Sequence, residues 1–152
     1  MGQEEETIDF LVSMIEAYEE TFVFDADALN IISEDLSLLN ELSKKAILTP
    51  HVGEFSRLSG YSIEEIKKNK VQVALEFAKK HNVILVLKDA VTLVTDGEHI
   101  YYNSTGNEGL SRGGSGDVLA GMIGAFCARE MNELNASLFG VFLHGLVADI
   151  LK

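Results

Sequence analysis

The chain of 152 residues is 47% hydrophobic and 24% charged, a composition that supports one globular domain and excludes an intrinsically disordered protein. Its net charge of −12, from 12 basic and 24 acidic residues, argues against nucleic acid as a partner, because the phosphate backbone is bound by clustered lysine and arginine. The polar amino terminus, the lack of an apolar run near the roughly 20 residues of a membrane span and the single cysteine, Cys127, predict a cytoplasmic protein without a membrane segment.

The amino-terminal half of the sequence alternates predicted helices with predicted strands. Apolar residues at helical spacing predict an amphipathic helix over residues 4–20, and the apolar run after it predicts a buried strand that ends at Asp25 and Asp27. A second strand is predicted over residues 46–48, followed by a short helix over residues 54–59 that ends at a glycine. This alternation is typical of parallel strands with helices on both faces.

The carboxyl-terminal half contains a strong strand signal and a hairpin signal. Ser62 and Glu65 have the spacing of a capping box, which predicts a helix from there to about residue 80. The branched apolar residues 83–87 predict a buried strand, and Asp96-Gly97 predicts the turn of a hairpin. Two further helices are predicted over residues 116–130 and 134–151.

These elements predict an α/β fold in a single domain over residues 1–152, with a mostly parallel central sheet. In such folds ligands bind at the carboxyl ends of the strands. Three loops leave those ends, at residues 25–27, 49–54 and 88–92. The first helix starts at once and the last one stops without a capping residue, so we expect the domain to be incomplete at both ends.

The glycine-rich segment over residues 105–126 has the character of an anion-binding loop. A helix that begins near Ser115 leaves its first amide hydrogens unpaired, and these combine with a helix dipole of about half a positive charge. Gly113, Gly114 and Gly116 carry no side chain that would keep a phosphate from the backbone. The segment therefore predicts a phosphate site formed by the backbone amides of residues 114–116, although it lacks the GxxxxGK pattern of a P-loop.

The charge of Asp117 does not fit a simple phosphate site, and two interpretations are open. The carboxylate could merely stabilise the first helical turn, by a few tenths of a kcal/mol. Alternatively, it could act as a general base that removes a proton from a hydroxyl group attacking the bound phosphoryl group. Repulsion from the phosphate would keep the carboxylate somewhat basic, which suits the second role.

Four other polar residues each allow a functional and a structural interpretation, and for a fifth we expect a structural role only. Lys88 could close on the phosphates of a nucleotide or be solvated, and His51 could hydrogen-bond a substrate or be incidental. Asp25 and Asp27 could hold a cation or ribose hydroxyls, or cap the next helix. For His144, which lies in an apolar helix, we expect a satisfied helix-packing role.

Five segments carry a resemblance to a known family. They are, in order, "VFDADALN", "LTPHVGEFSRL", "VLKDAVTLV", "NSTGNEGLSRGGSGDVLAGMIGAF" and "FLHGLVADI". Together they resemble the NAD(P)H-hydrate dehydratases of the ribokinase-like superfamily, over essentially the whole chain and as the carboxyl-terminal part of that domain. The resemblance implies a three-layer αβα sandwich, a cytoplasmic enzyme and a homo-oligomer.

The resemblance also implies a reaction and its participants. It implies a lyase that repairs hydrated NADH or NADPH: ADP or ATP, with Mg²⁺, transfers its terminal phosphoryl group to the ring hydroxyl, and loss of phosphate restores the cofactor. His51 and Asp117 are then expected to contact the hydrated cofactor, with Asp117 as the general base. The nucleotide is expected to contact Lys88, Asp89, Ala90, Val91, Thr92 and Gly116, beside the amides of Gly114 and Ser115. No protein ligand for a metal is predicted, because no paired cysteine or histidine spacing occurs.

The sequence departs from the family pattern at two places. The usual KGxGT reads KDAVT here, so Asp89 and Val91 replace small residues, and Arg112 stands where a small polar residue is commoner. Arg112 could add a phosphate contact or narrow the entrance to the site. Two alternative functions stay open: a ribokinase-like kinase of a small hydroxylated vitamin precursor, and a catalytically inactive nucleotide-binding fragment. We expect the chain by itself to show little turnover.

Overall fold

The computed structural model describes residues 5–42 and 45–151, so the first predicted helical residue and both predicted domain ends lie outside the described residues. The described residues form six α-helices, five strands and two 3₁₀-helices. The α-helices are α1 (Glu5–Ala17), α2 (Asp27–Glu34), α3 (Val52–Ser59), α4 (Ile63–His81), α5 (Ser115–Cys127) and α6 (Glu133–Ile150). The strands are β1 (Val23–Phe24), β2 (Ile47–Leu48), β3 (Ile84–Leu87), β4 (Leu93–Thr95) and β5 (Ile100–Tyr102), and the 3₁₀-helices cover Leu36–Glu41 and Glu108–Ser111.

The strands form one mixed sheet in the order β1-β2-β3-β4-β5. The first three strands are parallel, with Val23 beside Ile47 and Ile47 beside Ile84, and β4 and β5 extend the sheet as an antiparallel hairpin. The hairpin turn contains Gly97, which has a φ of 90° and lies so close to α4 that an added Cβ would be 2.5 Å from the backbone nitrogen of Lys79. Both features require glycine. The predicted α/β class is confirmed, and the predicted hairpin supplies the two antiparallel pairings.

Helices cover both faces of the sheet. Successive strand side chains point to opposite faces. Leu48 and Leu85 pack into a core with α1 to α4, whereas Ile47 and Ile84 pack into a second core with α5 and α6. Each of these side chains is at most 2% exposed, and burial of one such side chain contributes about 1.5–3 kcal/mol. The predicted three-layer αβα arrangement is confirmed.

Helix boundaries follow the capping signals of the sequence where those signals are strong. Ser62 and Glu65 form the predicted capping box: the Glu65 amide donates to Ser62 Oγ at 3.3 Å, and the Ser62 amide donates to Glu65 Oε2 at 2.9 Å. Gly60 ends α3 in the left-handed conformation, with a φ of 76°. The helix α2 begins at Asp27. Capping of this helix is one of the roles that the sequence leaves open for Asp27.

The helix α6 lies on the outside of the helix layer that borders the candidate functional site. It has 18 residues and a mean hydropathy of 1.2, so by length and composition it meets the requirement for a membrane span, which the sequence analysis did not anticipate. Its inner side packs closely on α5, because a Cβ added at Gly140 would lie 2.6 Å from Ile123 Cγ1. Phe139 and Phe142 are about half exposed on its outer side, and 28% of the helix is buried.

Candidate functional site

A cleft of about 720 Å³ lies at the carboxyl ends of the parallel strands. The pairing of β2 with β3 continues past both strands to His51 and Lys88, where the Lys88 amide donates to the Pro50 carbonyl at 2.8 Å. The first residues of α5 and the middle of α6 face these strand ends. The cleft is lined by His51, Lys88, Asp89, Ala90, Thr92, Asn103, Thr105, Gly106, Asn107, Glu108, Leu110, Ser111, Arg112, Ser115, Gly116, Leu119, Val141, His144 and Gly145.

The amino terminus of α5 opens into this cleft. Its N-cap, Gly114, is in the left-handed conformation with a φ of 86° and, within the described part of the chain, no side chain accepts a capping hydrogen bond from the first amides. The Ser115 amide donates to the Arg112 carbonyl at 3.2 Å. A helix start without a side-chain cap presents amide hydrogens and the positive end of the dipole to the cleft. The arrangement fits the predicted phosphate site of residues 114–116.

A partly buried ion pair lies directly beside this helix start. Lys88 Nζ is 2.8 Å from Asp25 Oδ1, and the two side chains are 24% and 13% exposed. A Cβ added at Gly116 would lie 3.1 Å from Asp25 Oδ2 and 3.3 Å from Lys88 Nζ. Glycine at this position therefore has a structural reason that the sequence did not reveal: it lets α5 approach the ion pair. The pairing also gives Asp25 a definite partner, where the sequence left its role open.

His51 is the N-cap of α3 and is fixed by the helix it caps. Its Nδ1 accepts hydrogen bonds from the amides of Gly53, at 3.0 Å, and Glu54, at 3.2 Å. The Glu54 side chain completes a capping box by accepting from the His51 amide at 2.8 Å. Because Nδ1 is an acceptor, the neutral ring carries its proton on Nε2. The side chain is 57% exposed and its Nε2 lies 3.5 Å from Glu54 Oε1, so a ligand in the cleft would share this N–H group with Glu54.

His144 is a second histidine of the cleft, and the sequence analysis placed it in helix packing instead. It does contact the neighbouring helix, since its Nε2 lies 3.3 Å from Ser115 Oγ, but it also lines the cleft. Burial lowers the pKa of His144 below its ordinary value; the hydrogen bond with Ser115 opposes this effect, and the charge of Lys88 adds to it. The ring is therefore neutral at pH 7. Only the proximity of α6 to α5 in the fold could have revealed its position.

Asp117 is the third residue of α5 and is exposed. Among the described residues, no side chain or backbone group forms a hydrogen bond or ion pair with its carboxylate, and it is not one of the residues that line the cleft wall. Its neighbour Gly116 does line the wall, so Asp117 directly follows a residue of the cleft in the sequence. A carboxylate in the first turn stabilises a helix through its dipole without a hydrogen-bond partner, so both interpretations of Asp117 stay open. Its catalytic role stays a prediction.

The predicted nucleotide contacts divide into two groups. Lys88, Asp89, Ala90 and Thr92 line the cleft together with Ser115 and Gly116. Val91 and Gly114 do not line it: Val91 is 47% exposed, and Gly114 is the N-cap of α5. Arg112, the second departure from the family pattern, lies in the wall, where its charge can reach an anion.

The loop between β5 and α5 forms a wall that the sequence analysis did not identify. Thr105 Oγ1 donates to the Phe142 carbonyl at 2.9 Å, and Asn107 Nδ2 donates to the Ala148 carbonyl at 2.9 Å. A Cβ added at Gly145 would lie 2.6 Å from the Thr105 carbonyl oxygen, so the loop rests on the backbone of α6. No local pattern in the sequence marks these contacts, because they join residues more than 35 positions apart.

The fold and the cleft define a class of protein. A three-layer α/β sandwich with an open helix start, a lysine and a polar cleft at the carboxyl ends of its parallel strands is an arrangement that holds a phosphate-bearing small molecule. The family model described as NAD(P)H-hydrate dehydratase matches residues 1–152, and the chain belongs to this family.

Relatives and solved structures agree with this assignment. The chain is 38% identical over 151 residues to a bifunctional NAD(P)H-hydrate repair enzyme of Thermofilum pendens, with 99% of this chain and 29% of that protein covered. It is 39% identical over 133 residues to an ADP-dependent (S)-NAD(P)H-hydrate dehydratase of Neisseria meningitidis, with 86% and 45% covered. The chain thus spans less than half the length of these curated relatives.

Two crystal structures have the same architecture. The ADP/ATP-dependent NAD(P)H-hydrate dehydratase of Bacillus subtilis, co-crystallised with ATP and Mg²⁺, matches with a TM-score of 0.82 at 29% identity, over 99% of this chain and 52% of that one. A ribokinase-like superfamily protein of Enterococcus faecalis matches with a TM-score of 0.82 at 26% identity, over 99% and 52%. The predicted ribokinase-like fold is confirmed.

Proposed function

We propose that this chain carries out the nucleotide-dependent dehydration of hydrated NADH or NADPH, as part of a lyase. The observation that carries the proposal is the open amino terminus of α5, which lies beside Lys88 in a cleft at the carboxyl ends of the strands. Membership of the NAD(P)H-hydrate dehydratase family supports this reaction over the kinase and the inactive fragment. Because the chain spans only part of its relatives, the activity of the whole protein is included in the proposal.

The nucleotide, ADP or ATP, is proposed to bind with its phosphates at the start of α5. The amides of residues 114–116 and the charge of Lys88 would stabilise the negative charge that develops on the transferred phosphoryl group. Lys88 already contacts Asp25 at 2.8 Å, so Asp25 holds the ammonium group beside Gly116 before the nucleotide arrives. Preorganisation of this kind reduces the rearrangement that binding requires.

Mg²⁺ is proposed to arrive with the nucleotide. No group of three metal-ligating side chains occurs in residues 5–42 and 45–151, and Asp25, whose carboxylate lies beside Gly116, is paired with Lys88. These residues fit an ion that is carried by phosphate oxygens, a mode that Mg²⁺ often adopts. When bound, the ion would neutralise charge on the phosphates.

Asp117 and His51 are proposed to act on the hydrated cofactor. Asp117 takes the proton of the ring hydroxyl as that oxygen bonds to the terminal phosphorus and the bond between phosphorus and the nucleotide oxygen breaks. Phosphate then leaves with the electrons of its bond to the ring carbon, and loss of a proton from the neighbouring carbon restores the double bond. His51, whose ring is held by α3 and is 57% exposed, donates a hydrogen bond from Nε2 that orients the substrate.

The proposal is tested by following reduced nicotinamide in a mixture of hydrated NADH with ADP or with ATP. We expect NADH to be restored only when a nucleotide is present, with AMP formed from ADP or ADP from ATP. The assay is run on the 152-residue chain and on a chain extended upstream, and we expect the extended chain to be the more active. Phosphorylation of a vitamin-type alcohol without restoration of NADH would overturn the proposal in favour of the kinase.

Homo-oligomerisation and a cytoplasmic location stay predictions. The half-exposed Phe139 and Phe142 on the outer side of α6 support association between copies, because apolar surface of this kind is often covered in assemblies. Light scattering after size-exclusion chromatography would measure the number of copies.

A further inference from the structure

A residue of α4 that does not line the cleft forms polar contacts with the loop over residues 88–92. Lys70 Nζ lies 2.7 Å from Asp89 Oδ2 and 3.4 Å from the Val91 carbonyl oxygen. The side chains of Lys70 and Asp89 are 21% and 35% exposed, so the pair lies at the surface and is only partly shielded from solvent. One lysine thus contacts both ends of the three-residue segment 89–91.

Each of the two carboxylate oxygens of Asp89 has its own partner. Its Oδ1 accepts a hydrogen bond from the Ala90 amide at 2.8 Å, while Oδ2 faces Lys70. The hydrogen bond from Lys70 lowers the pKa of Asp89, against the opposing effect of burial, so the carboxylate is ionised. The loop conformation and the ion pair are therefore coupled through one side chain.

The surroundings of Asp89 give this contact a consequence for binding. Asp89 lines the same cleft as Lys88 and Gly116, where we propose that phosphates bind. An ionised carboxylate in that wall repels an anionic ligand unless a cation faces it. Lys70 is the cation in direct contact with Asp89, and the charge of Lys67 adds a smaller attraction; Lys70 belongs to α4 and does not line the cleft. The backbone of α4 leaves the helical conformation at Asn69, directly before Lys70, with φ −128° and ψ 33°.

We propose that Lys70 is a positioning residue for the nucleotide: it neutralises Asp89 and fixes the segment 89–91 in the cleft wall. This inference rests on the proposed function for its consequence, since it assumes that phosphates enter the cleft. The contact itself does not depend on that assumption. If Lys70 and Asp89 formed only an ordinary surface salt bridge, their contact would contribute little to nucleotide binding. A positioning role and an ordinary surface salt bridge therefore predict different nucleotide affinities for variants of Lys70.

Nucleotide binding by the full chain tests the electrostatic part. Calorimetry with ADP, AMP and adenosine is expected to show that Lys70→Met weakens ADP binding by about threefold to tenfold, AMP less and adenosine least. Adding Asp89→Asn to Lys70→Met is expected to restore most of the ADP affinity, because the repelling charge is then gone. Lys70→Arg keeps the charge and should remain close to the original chain. Lys68→Met, which removes an exposed positive charge from the same helix, is the matched control and should change ADP binding little.

Hydrogen exchange of the Ala90 amide tests the contact independently of any nucleotide. Lys70→Met should speed its exchange, and Lys68→Met should not. Unchanged exchange in Lys70→Met overturns the inference whatever the nucleotide does. If the original chain binds ADP but Lys70→Met loses adenosine and ADP affinity equally, the electrostatic role is overturned while the proposed function stands. If the original chain does not bind ADP at all, the proposed function fails, and the exchange result still decides the contact.

Discussion

The two helices that begin beside the cleft start in opposite ways. α3 begins at His51, whose ring accepts from the amides of Gly53 and Glu54, and Glu54 returns a hydrogen bond to the His51 amide. α5 begins at Gly114, and its first amides have no side-chain cap in the described part of the chain. Both helices carry an acidic residue at their third position, which is Glu54 in α3 and Asp117 in α5.

The contrast shows that the same local pattern serves two purposes. In α3 the acidic side chain closes the helix end, so the amides there are already satisfied. In α5 a glycine replaces the capping side chain, so the amides stay available to an anion and the acidic residue has nothing to cap. The general-base role of Asp117 stays a prediction, because a carboxylate in the first turn also stabilises the helix dipole without capping any amide.

The largest expected effect is a loss of turnover that distinguishes Asp117 from Glu54. Asp117→Ala is expected to lower turnover by about 10²–10⁴-fold with little change in nucleotide affinity, because a general base acts only in the chemical step. Turnover of hydrated NADH and calorimetry with ADP are measured on a catalytically active chain. Glu54→Gln, at the same position of α3, is the control and should cost more in stability and much less in turnover. Equal losses of turnover in the two variants would contradict the contrast.

Gly116→Val should produce the next largest effect, on nucleotide binding. Its Cβ would lie 3.1 Å from Asp25 Oδ2 and 3.3 Å from Lys88 Nζ, so the start of α5 and the ion pair must separate. We expect ADP affinity to fall on the order of 100-fold, since small displacements of a phosphate site are costly. Gly113→Ala is the matched control because a Cβ there meets nothing within 4 Å. Unchanged ADP affinity in Gly116→Val would remove the helix start from the site.

Several local features of the fold could be predicted from the sequence, whereas the capping of α3 by His51 and the contacts between distant residues could not. The capping box at Ser62, the turn at Gly97 and the open glycine loop are local signals, so they were predicted correctly. The Asp25–Lys88 pair joins residues 63 positions apart, and His144 reaches the cleft only because α6 packs on α5. Such contacts depend on how the layers of the fold come together, which no local pattern encodes.

The family resemblance added roles that local patterns left open, but it did not supply the geometry. It pointed to the segment 88–92, and the structure shows that Val91 faces away while Asp89 is held by Lys70. Lys70 lies outside all five resembling segments, so comparison of motifs could not have found its contact with Asp89. Side-chain pairing between a helix and a loop is a property of the fold.

A smaller effect, on stability, tests the closed helix start. His51→Ala removes the N-cap of α3 and is expected to lower the free energy of unfolding by about 1 kcal/mol. Asn is a good N-cap, so His51→Asn should recover most of that loss while still lacking the Nε2–H. Urea denaturation measures the stability, and KM for the hydrated cofactor measures the substrate contact. If His51→Asn unfolds as easily as His51→Ala, the ring does not act as the cap.

The smallest expected effect concerns the open helix start and its contact with His144. Burial lowers the pKa of His144 in the folded chain, so at pH values around and below its ordinary value the unfolded chain binds more protons. The free energy of unfolding should therefore fall as the pH decreases through about 6.5. Urea denaturation at pH 7.5 and 5.5 is expected to show a smaller decrease for His144→Gln than for the original chain. His81 has a lowered pKa for the same reason, so His81→Gln is the control that separates its contribution from the one made beside Ser115. An equal pH dependence in His144→Gln and in the original chain would show that the ring is not held neutral by its place in the cleft wall.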